Sequence, residues 1–271
     1  MGIIGKPVLN LPSSGYLTFS SPTAFSLSII GNPLWDGTIE YSTNRYSWNI
    51  WTGSTTLNAV AYNGYYVLYV RGKNNTYITG VNAATDNGAW HFTGSDISIS
   101  GELIHILDYM ERTVPADRAF DSMFGWKNPG DYAIVSARNL ILPSVLSYRC
   151  CRSLFSRCKG LVYPPKMPAT TLGILCYNST FYQCESLAAL PALYATNLPN
   201  ECYASMFNSC SSIKLSETRT GEYQTEYRIP ASGTGTVGTD SLQYTFIATG
   251  GTFAGTPAVN TTYYTSNPVI G

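Results

Sequence analysis

The chain has 271 residues with 16 basic and 16 acidic side chains, so it carries no formal net charge, and only 12% of it is charged. That balance argues against a nucleic-acid-binding protein, which needs a basic face. No segment approaches the roughly 18 apolar residues of a membrane span. Twenty-one Tyr, set among Ser, Thr, Asn and Gly, suit an adhesive surface, because Tyr gives large contact area at low entropic cost. The same composition also fits a plain Tyr-rich β protein. Residues 1–14 are apolar, broken by Pro and Gly, and read as an arm that docks on a partner. Met1–Pro7 lacks a basic n-region, so no signal peptide is read there, and Lys6 breaks the myristoylation pattern.

Residues 15–100 carry a β pattern. Tyr16–Phe19 and Ala24–Ile29 alternate; Thr38–Tyr41 and Tyr46–Trp51 flank the turn sequence Ser42-Thr43-Asn44-Arg45 and predict a hairpin. Tyr65–Val70, Ala89–Phe92 and Ile97–Ile99 complete about seven short strands. Together they predict an antiparallel β-sandwich, immunoglobulin- or fibronectin-like in broad class, without the cysteine pair of a true immunoglobulin domain.

From residue 101 the period changes. Leu103, Ile106, Leu107 and Met110 fall at i, i+3, i+4 and i+7, which predicts an amphipathic helix over 101–112, N-capped by Ser100. The helix is expected to cap a second domain, 101–271. Ala119–Phe124 echoes a motif that recurs downstream, and an insertion follows through Trp126 and Pro129. The core of this domain, 142–216, is an internal repeat. Cys150, Cys176 and Cys202 are 26 apart, as are Phe155, Phe181 and Phe207, Cys158, Cys184 and Cys210, Leu146, Leu172 and Leu198, and Leu161, Leu187 and Ile213. A period of this size means stacked units in a solenoid. Each copy predicts about two helical turns followed by a short proline-bounded strand, as at Gly160–Tyr163 and Ser186–Leu190. One helix and one strand cannot bury their own apolar face, so the copies must stack.

Six of the seven cysteines fill two columns of the repeat. Eight residues apart on a helix, at about 1.5 Å per residue, they are too distant to bridge. They are read as small buried hydrophobes. No C-x-x-C pair or neighbouring His points to zinc. Cys151 stands outside the columns and is expected to be the most exposed thiol. After Ser216 the register breaks: 213–218 and 223–229 are expected to form a hairpin, Leu242–Phe246 is a degenerate echo of the repeat, and 217–271 serves as cap and extended tail. Gly233–Gly238 matches G-x-G-x-x-G, but no strand, long helix and distant acid surround it, so it is read as a linker. His91 and His105 stand in no catalytic motif, and no catalytic, cofactor-binding or metal residue is assigned. The candidate contact surface is Arg152, Asn178 and Ala204, which vary at equivalent repeat positions, with Tyr177 and Tyr203.

The run Cys202-Tyr203-Ala204-Ser205-Met206-Phe207-Asn208-Ser209-Cys210, with Met167-Pro168-Ala169-Thr170-Thr171-Leu172 and the Arg-Asn-Leu-Ile-Leu-Pro run at 138–143, resembles the BspA-type leucine-rich repeat, in the longer variant of gut-bacterial and gut-phage proteins. The likeness covers under a third of the chain. It implies a repeat fold and surface recognition, and no enzyme. The expectation is therefore a non-enzymatic virion protein in contact with other virion proteins or a host-surface protein or glycan, as a homo-oligomer or part of a larger assembly. The alternatives are a bacterial surface adhesin of the same repeat family and a carbohydrate-binding protein.

Overall fold

A computed structural model describes residues 15–79, 88–110, 114–125 and 132–271. The arm 1–14, the insertion around Trp126 and Pro129, and the end of the helix expected over 101–112 lie outside the described residues. Alternating sequence before residue 100 becomes nine strands: β1 (Leu17–Ser21), β2 (Ser26–Ile30), β3 (Thr38–Ser42), β4 (Asn49–Trp51), β5 (Leu57–Asn58), β6 (Val60–Tyr62), β7 (Tyr65–Lys73), β8 (Ala89–Thr93) and β9 (Ile97–Glu102). With β10 (Ile134–Ile141) they form two sheets. One has the order β10-β9-β1-β7-β3-β4, with β6 also paired to β7; the other is β5-β2-β8. All their pairings are antiparallel except β9 with β10, which is parallel. Period-2 alternation sends Phe19, Ile39, Leu68 and Val70 of the larger sheet inward against Leu27, Trp90 and Phe92 of the smaller. The hairpin expected at 42–45 is present, with Ile39 opposite Trp51.

The helix expected over 101–112 is a four-residue 3-10 turn, Leu103–Ile106. Three contacts stop it. β9 runs through Glu102. The Asp108 carboxylate accepts the N–H groups of Asn74 (2.9 Å) and Met110 (2.8 Å). The Tyr109 N–H then donates to the Gly72 carbonyl at 3.0 Å, pulling the chain back onto β7. A Cβ at Gly72 would collide with the Ile106 carbonyl. Met110, expected to face inward, is 70% exposed.

The repeat copies stack, but not as helices. Within a copy, alternate residues donate three residues back: Cys150 to Ser147 (3.3 Å), Arg152 to Arg149 (3.2 Å), Leu154 to Cys151 (3.3 Å), Ser156 to Ser153 (3.0 Å) and Cys158 to Phe155 (3.0 Å). The residues between them donate to the next copy: Arg149 to Ile174 (3.0 Å), Cys151 to Cys176 (2.9 Å), Ser153 to Asn178 (2.9 Å), Phe155 to Thr180 (2.9 Å) and Arg157 to Tyr182 (2.7 Å). An α-helix would instead bond every N–H four residues back. The third residue of every second turn has a positive φ, as in a type II turn. These residues are Arg149, Ser153 and Arg157, with their equivalents Leu175, Ser179, Gln183, Glu201, Ser205 and Ser209, at φ values from 52° to 67°. The resulting period is four residues, with two neighbours inward and two outward.

The echoes on either side join the stack in register. Phe120 and Phe124 donate to Cys150 (2.9 Å) and Leu154 (3.0 Å), and Phe207 donates to Thr245 (3.0 Å). One aromatic column runs through the whole: Phe124, Phe155, Phe181, Phe207 and Phe246 have successive ring centroids 5.2, 6.0, 5.6 and 5.3 Å apart. Trp90 meets Phe124 edge-on at 6.3 Å, so the column begins in the N-terminal sheets. The buried core is continuous from Leu17 to Tyr263.

On the opposite side of each copy the expected strands shrink to ladder contacts. Ala188 donates to Val162, and Val162 to Val135. Short parallel pairs join β11 (Leu190–Pro191) to β17 (Val269–Ile270) and β12 (Asn197–Leu198) to β15 (Thr236–Val237). The hairpin expected between 213–218 and 223–229 does not form directly. β16 (Thr262–Thr265) from the tail inserts between β13 (Leu215–Ser216) and β14 (Thr225–Arg228). Buried Asn267 holds the tail down: its Oδ1 accepts the Lys214 N–H at 2.7 Å, and its Nδ2 donates to Ala188 and Ser212, each at 3.0 Å. The chain is thus β-rich, in several sheets and without a closed barrel, and no α-helix occurs among the described residues.

Candidate functional surface

Arg152, Asn178 and Ala204 do occupy one column, headed by Asp121 from the preceding copy. Arg152 Nε donates to Asp121 Oδ2 at 3.0 Å. Asp121 is almost fully buried. Burial pushes its carboxyl above the usual range, opposed by Arg152. Arg152 and Asn178 are half-buried, and Ala204 is buried. Tyr177 and Tyr203, expected on the contact surface, are interior: both are 1% exposed, and their rings stack at 5.9 Å. The helical reading erred here by placing the residue after the inward cysteine about 100° around the axis; the four-residue period points both inward. Cys151 occupies the same column and is fully buried, so it is not the exposed thiol expected.

All seven cysteines are buried and none forms a disulfide with another described residue. The second column forms a built feature: Cys158, Cys184 and Cys210 Sγ donate to the carbonyls of Phe124 (3.2 Å), Phe155 (3.0 Å) and Phe181 (2.9 Å) in the preceding copy. Cysteine here is small enough for the interior and still supplies a donor across copies. Burial raises the Cys151, Cys176, Cys184 and Cys210 thiols and pushes Cys202 up to about 12, so none of these five has the thiolate character that nucleophilic chemistry needs. Among the described residues, no three His, Cys, Asp or Glu side chains are grouped to hold a metal, and no helix is long and apolar enough to cross a membrane.

A second apolar cluster lies on the outer face of the larger sheet: Tyr16, Val67 and Tyr69, with Trp48 and Tyr65 packed on it. Two guanidiniums sit there. Arg71 is held between the rings of Trp48 (4.0 Å to the centroid) and Tyr109 (3.9 Å), and its Nε donates to Glu40 at 2.7 Å. Arg45 lies 5.6 Å from the Tyr62 ring and 5.7 Å from the Tyr69 ring. Two highly exposed large side chains adjoin it: Tyr46 at 88% and Ile50 at 69%. Reading the sequence for strands left this surface out. The signal was present in β7, where Tyr65, Val67, Tyr69 and Arg71 alternate onto one face while Leu68 and Val70 take the other.

Two open clefts lie elsewhere among the described residues. One of about 400 Å³ is lined by Glu102, Ile104, Val114, Ile141 and Val145. The other, of about 500 Å³, lies where Leu242 of the last copy meets Pro257 and Val259. Each is mostly apolar, with a single carboxylate, Glu102 or Asp240, and one or two hydroxyls, and no His, Lys, Arg or Cys is among the described residues that line it. No family model, curated protein or solved structure matches this chain.

Proposed function

We propose that the chain is a non-enzymatic structural or surface-binding protein of a phage particle. In this reading an immunoglobulin-like β-sandwich over 15–100 is joined to a short BspA-like leucine-rich-repeat solenoid. The observation that carries it is the in-register stack from Phe124 to Phe246, a rigid body whose outward positions vary while its interior columns repeat. The near-zero charge supports contact through aromatic and hydroxyl groups over a broad face rather than through long-range steering. The likeness of the repeat to gut-phage proteins favours a virion; a bacterial surface adhesin is the alternative. Partners would be other virion proteins or a host-surface protein or glycan.

The test is to purify infectious particles and quantify peptides of this chain by mass spectrometry. A fixed copy number per particle is expected, with the added chain slowing adsorption to susceptible cells. Recovery only with the bacterial envelope would favour the adhesin. Turnover of host polysaccharide by the purified chain would overturn the non-enzymatic reading.

A further inference from the structure

The tip of the β3–β4 hairpin holds a cation with no carboxylate partner among the described residues. Arg45 Nη2 donates to the Tyr62 hydroxyl at 3.3 Å, the guanidinium also hydrogen-bonds the Tyr16 hydroxyl, and it lies against the Tyr62 and Tyr69 rings. Arg71, on the same sheet face, is paired with the Glu40 carboxylate and sandwiched between Trp48 and Tyr109, so the two guanidiniums differ in what remains available to a ligand.

The tip is also pre-shaped. Ser42 Oγ accepts the N–H groups of Asn44 (3.2 Å) and Arg45 (2.8 Å), and Asn44 Oδ1 accepts those of Tyr46 (2.9 Å) and Ser47 (3.0 Å). Arg45 itself holds a φ of 70°. The turn backbone that carries Arg45 is therefore set before any ligand arrives, which lowers the ordering cost of binding. Beside it in the hairpin stand the exposed Tyr46 ring and the hydroxyl and amide groups of Ser47 and Asn44, with the 39% exposed Tyr62 ring of β6 against the guanidinium.

We propose that this hairpin tip binds a carboxylated saccharide, with the carboxylate paired to Arg45 and a sugar ring laid on Tyr46 or Tyr62. Each part of the surface answers one part of that ligand. The guanidinium fork matches a carboxylate in two parallel hydrogen bonds. A flat ring with apolar area accepts the C–H face of a pyranose. Short amide and hydroxyl side chains meet sugar hydroxyls. One available cation suits one carboxylate per sugar better than a polyphosphate. An acidic peptide would satisfy Arg45 but bring no ring face for the exposed tyrosines. The proposal deepens the surface-binding reading and rests on it.

The experiment titrates the intact chain with oligogalacturonate and a sialylated oligosaccharide, with a neutral galactose oligomer and a poly-glutamate peptide as controls, by calorimetry. At least one carboxylated sugar should bind. Arg45→Gln should weaken it roughly tenfold or more, Arg45→Lys should recover part of the loss, and Tyr46→Ala should weaken it several-fold, all with unchanged melting temperature. Binding of neither carboxylated sugar overturns the proposal. So does equal binding of the neutral oligomer or the peptide, or indifference to Arg45→Gln. A parallel cell-binding assay separates the two levels. Cell binding that survives Arg45→Gln removes the hairpin site and leaves the surface-binding reading standing; absence of cell binding by the unmodified chain removes the broader reading.

Discussion

The N-terminal sheets and the repeat region bury similar side chains by different backbone devices. In the sheets, neighbouring antiparallel strands exchange hydrogen bonds in both directions, so strand dipoles largely cancel. On the turn face of the repeat, the backbone bonds between copies run one way, from an N–H of the earlier copy to a carbonyl of the later one, beginning with Ile78 to Ala119 (2.8 Å) and Trp90 to Met123 (2.7 Å) from the sheets. Alternate peptides therefore align along the stack, as all of them do along an α-helix. The last copy then presents donors, and the tail caps two of them: Phe246 N–H on the Gly255 carbonyl (3.0 Å) and Tyr244 N–H on Thr256 Oγ1 (2.9 Å). The lesson is that a repeat can make a β-like ladder without extended strands, at the expense of left-handed residues every fourth position, each costing about 1–2 kcal/mol outside glycine.

The largest expected effect comes from breaking the aromatic column. Phe181→Ala should destabilise by about 3–5 kcal/mol, measured by denaturant unfolding. Phe19→Ala in the sheets should cost a similar amount. Because the core is continuous from Leu17 to Tyr263, both should shift one cooperative transition. Two separate transitions, each sensitive to one mutant only, would instead support independent domains divided near residue 100, which lies within β9, the partner of β10.

Next in size is the Arg152–Asp121 ion pair, which spans two copies and whose carboxylate is buried. Arg152→Ala leaves Asp121 buried without its partner and should cost on the order of 3 kcal/mol at neutral pH. The Asp121 carboxyl is raised in the folded protein, so the folded state binds its proton more tightly than the unfolded one. Its contribution is therefore fully favourable below the ordinary Asp value and is lost as pH rises through the raised value. Lowering the pH toward the ordinary Asp range should recover much of the Arg152→Ala loss, and Asp121→Asn should flatten the dependence. A loss independent of pH would mean that packing of the Arg152 stem, not charge, sets the effect.

Much of this architecture was legible in the sequence. Cys150, Phe155 and Cys158 repeat at a fixed step because each touches its own equivalent in the next copy, and that is a one-dimensional signal. The unbroken apolar and aromatic run Tyr65–Val70 announced β7, because a strand paired on both sides is apolar on both faces. What stayed hidden was the turn geometry. Two consecutive inward residues followed by two outward ones look helical over eight positions, since 3.6 and 4 diverge by less than half a residue per turn. Nor do Arg149, Leu175 and Glu201 advertise a positive φ, as glycine or asparagine would. Asn267 and β16 were illegible for another reason: they reach copies more than 45 residues away in sequence, where no local period records the contact. For the candidate surface, Arg45 was visible only as part of a turn, and its value as an unpaired cation depends on which carboxylate Arg71 takes.

Smaller effects sharpen the turn geometry. Cys184→Ala removes one thiol donor to Phe155 and should cost about 1 kcal/mol, while leaving the neighbouring copies folded. No native thiol should react rapidly with an aromatic disulfide reagent, and all seven should react after unfolding; one fast native thiol would place a cysteine outside the interior. Leu175 holds a φ of 60°, and nothing in the structure explains a leucine there. Leu175→Asn should be neutral or stabilising by up to about 1 kcal/mol, whereas Leu175→Val should destabilise, because branched residues tolerate that region poorly.

The most direct measurement is the detection of scalar couplings across hydrogen bonds by nuclear magnetic resonance on the deuterated chain. Cys151 N should correlate with the Cys176 carbonyl carbon, and Tyr177 N with that of Cys202, each across one full copy. Correlation of Cys151 N with the carbonyl of Ser147, four residues back, would show a helical repeat and contradict the ladder of alternating turns.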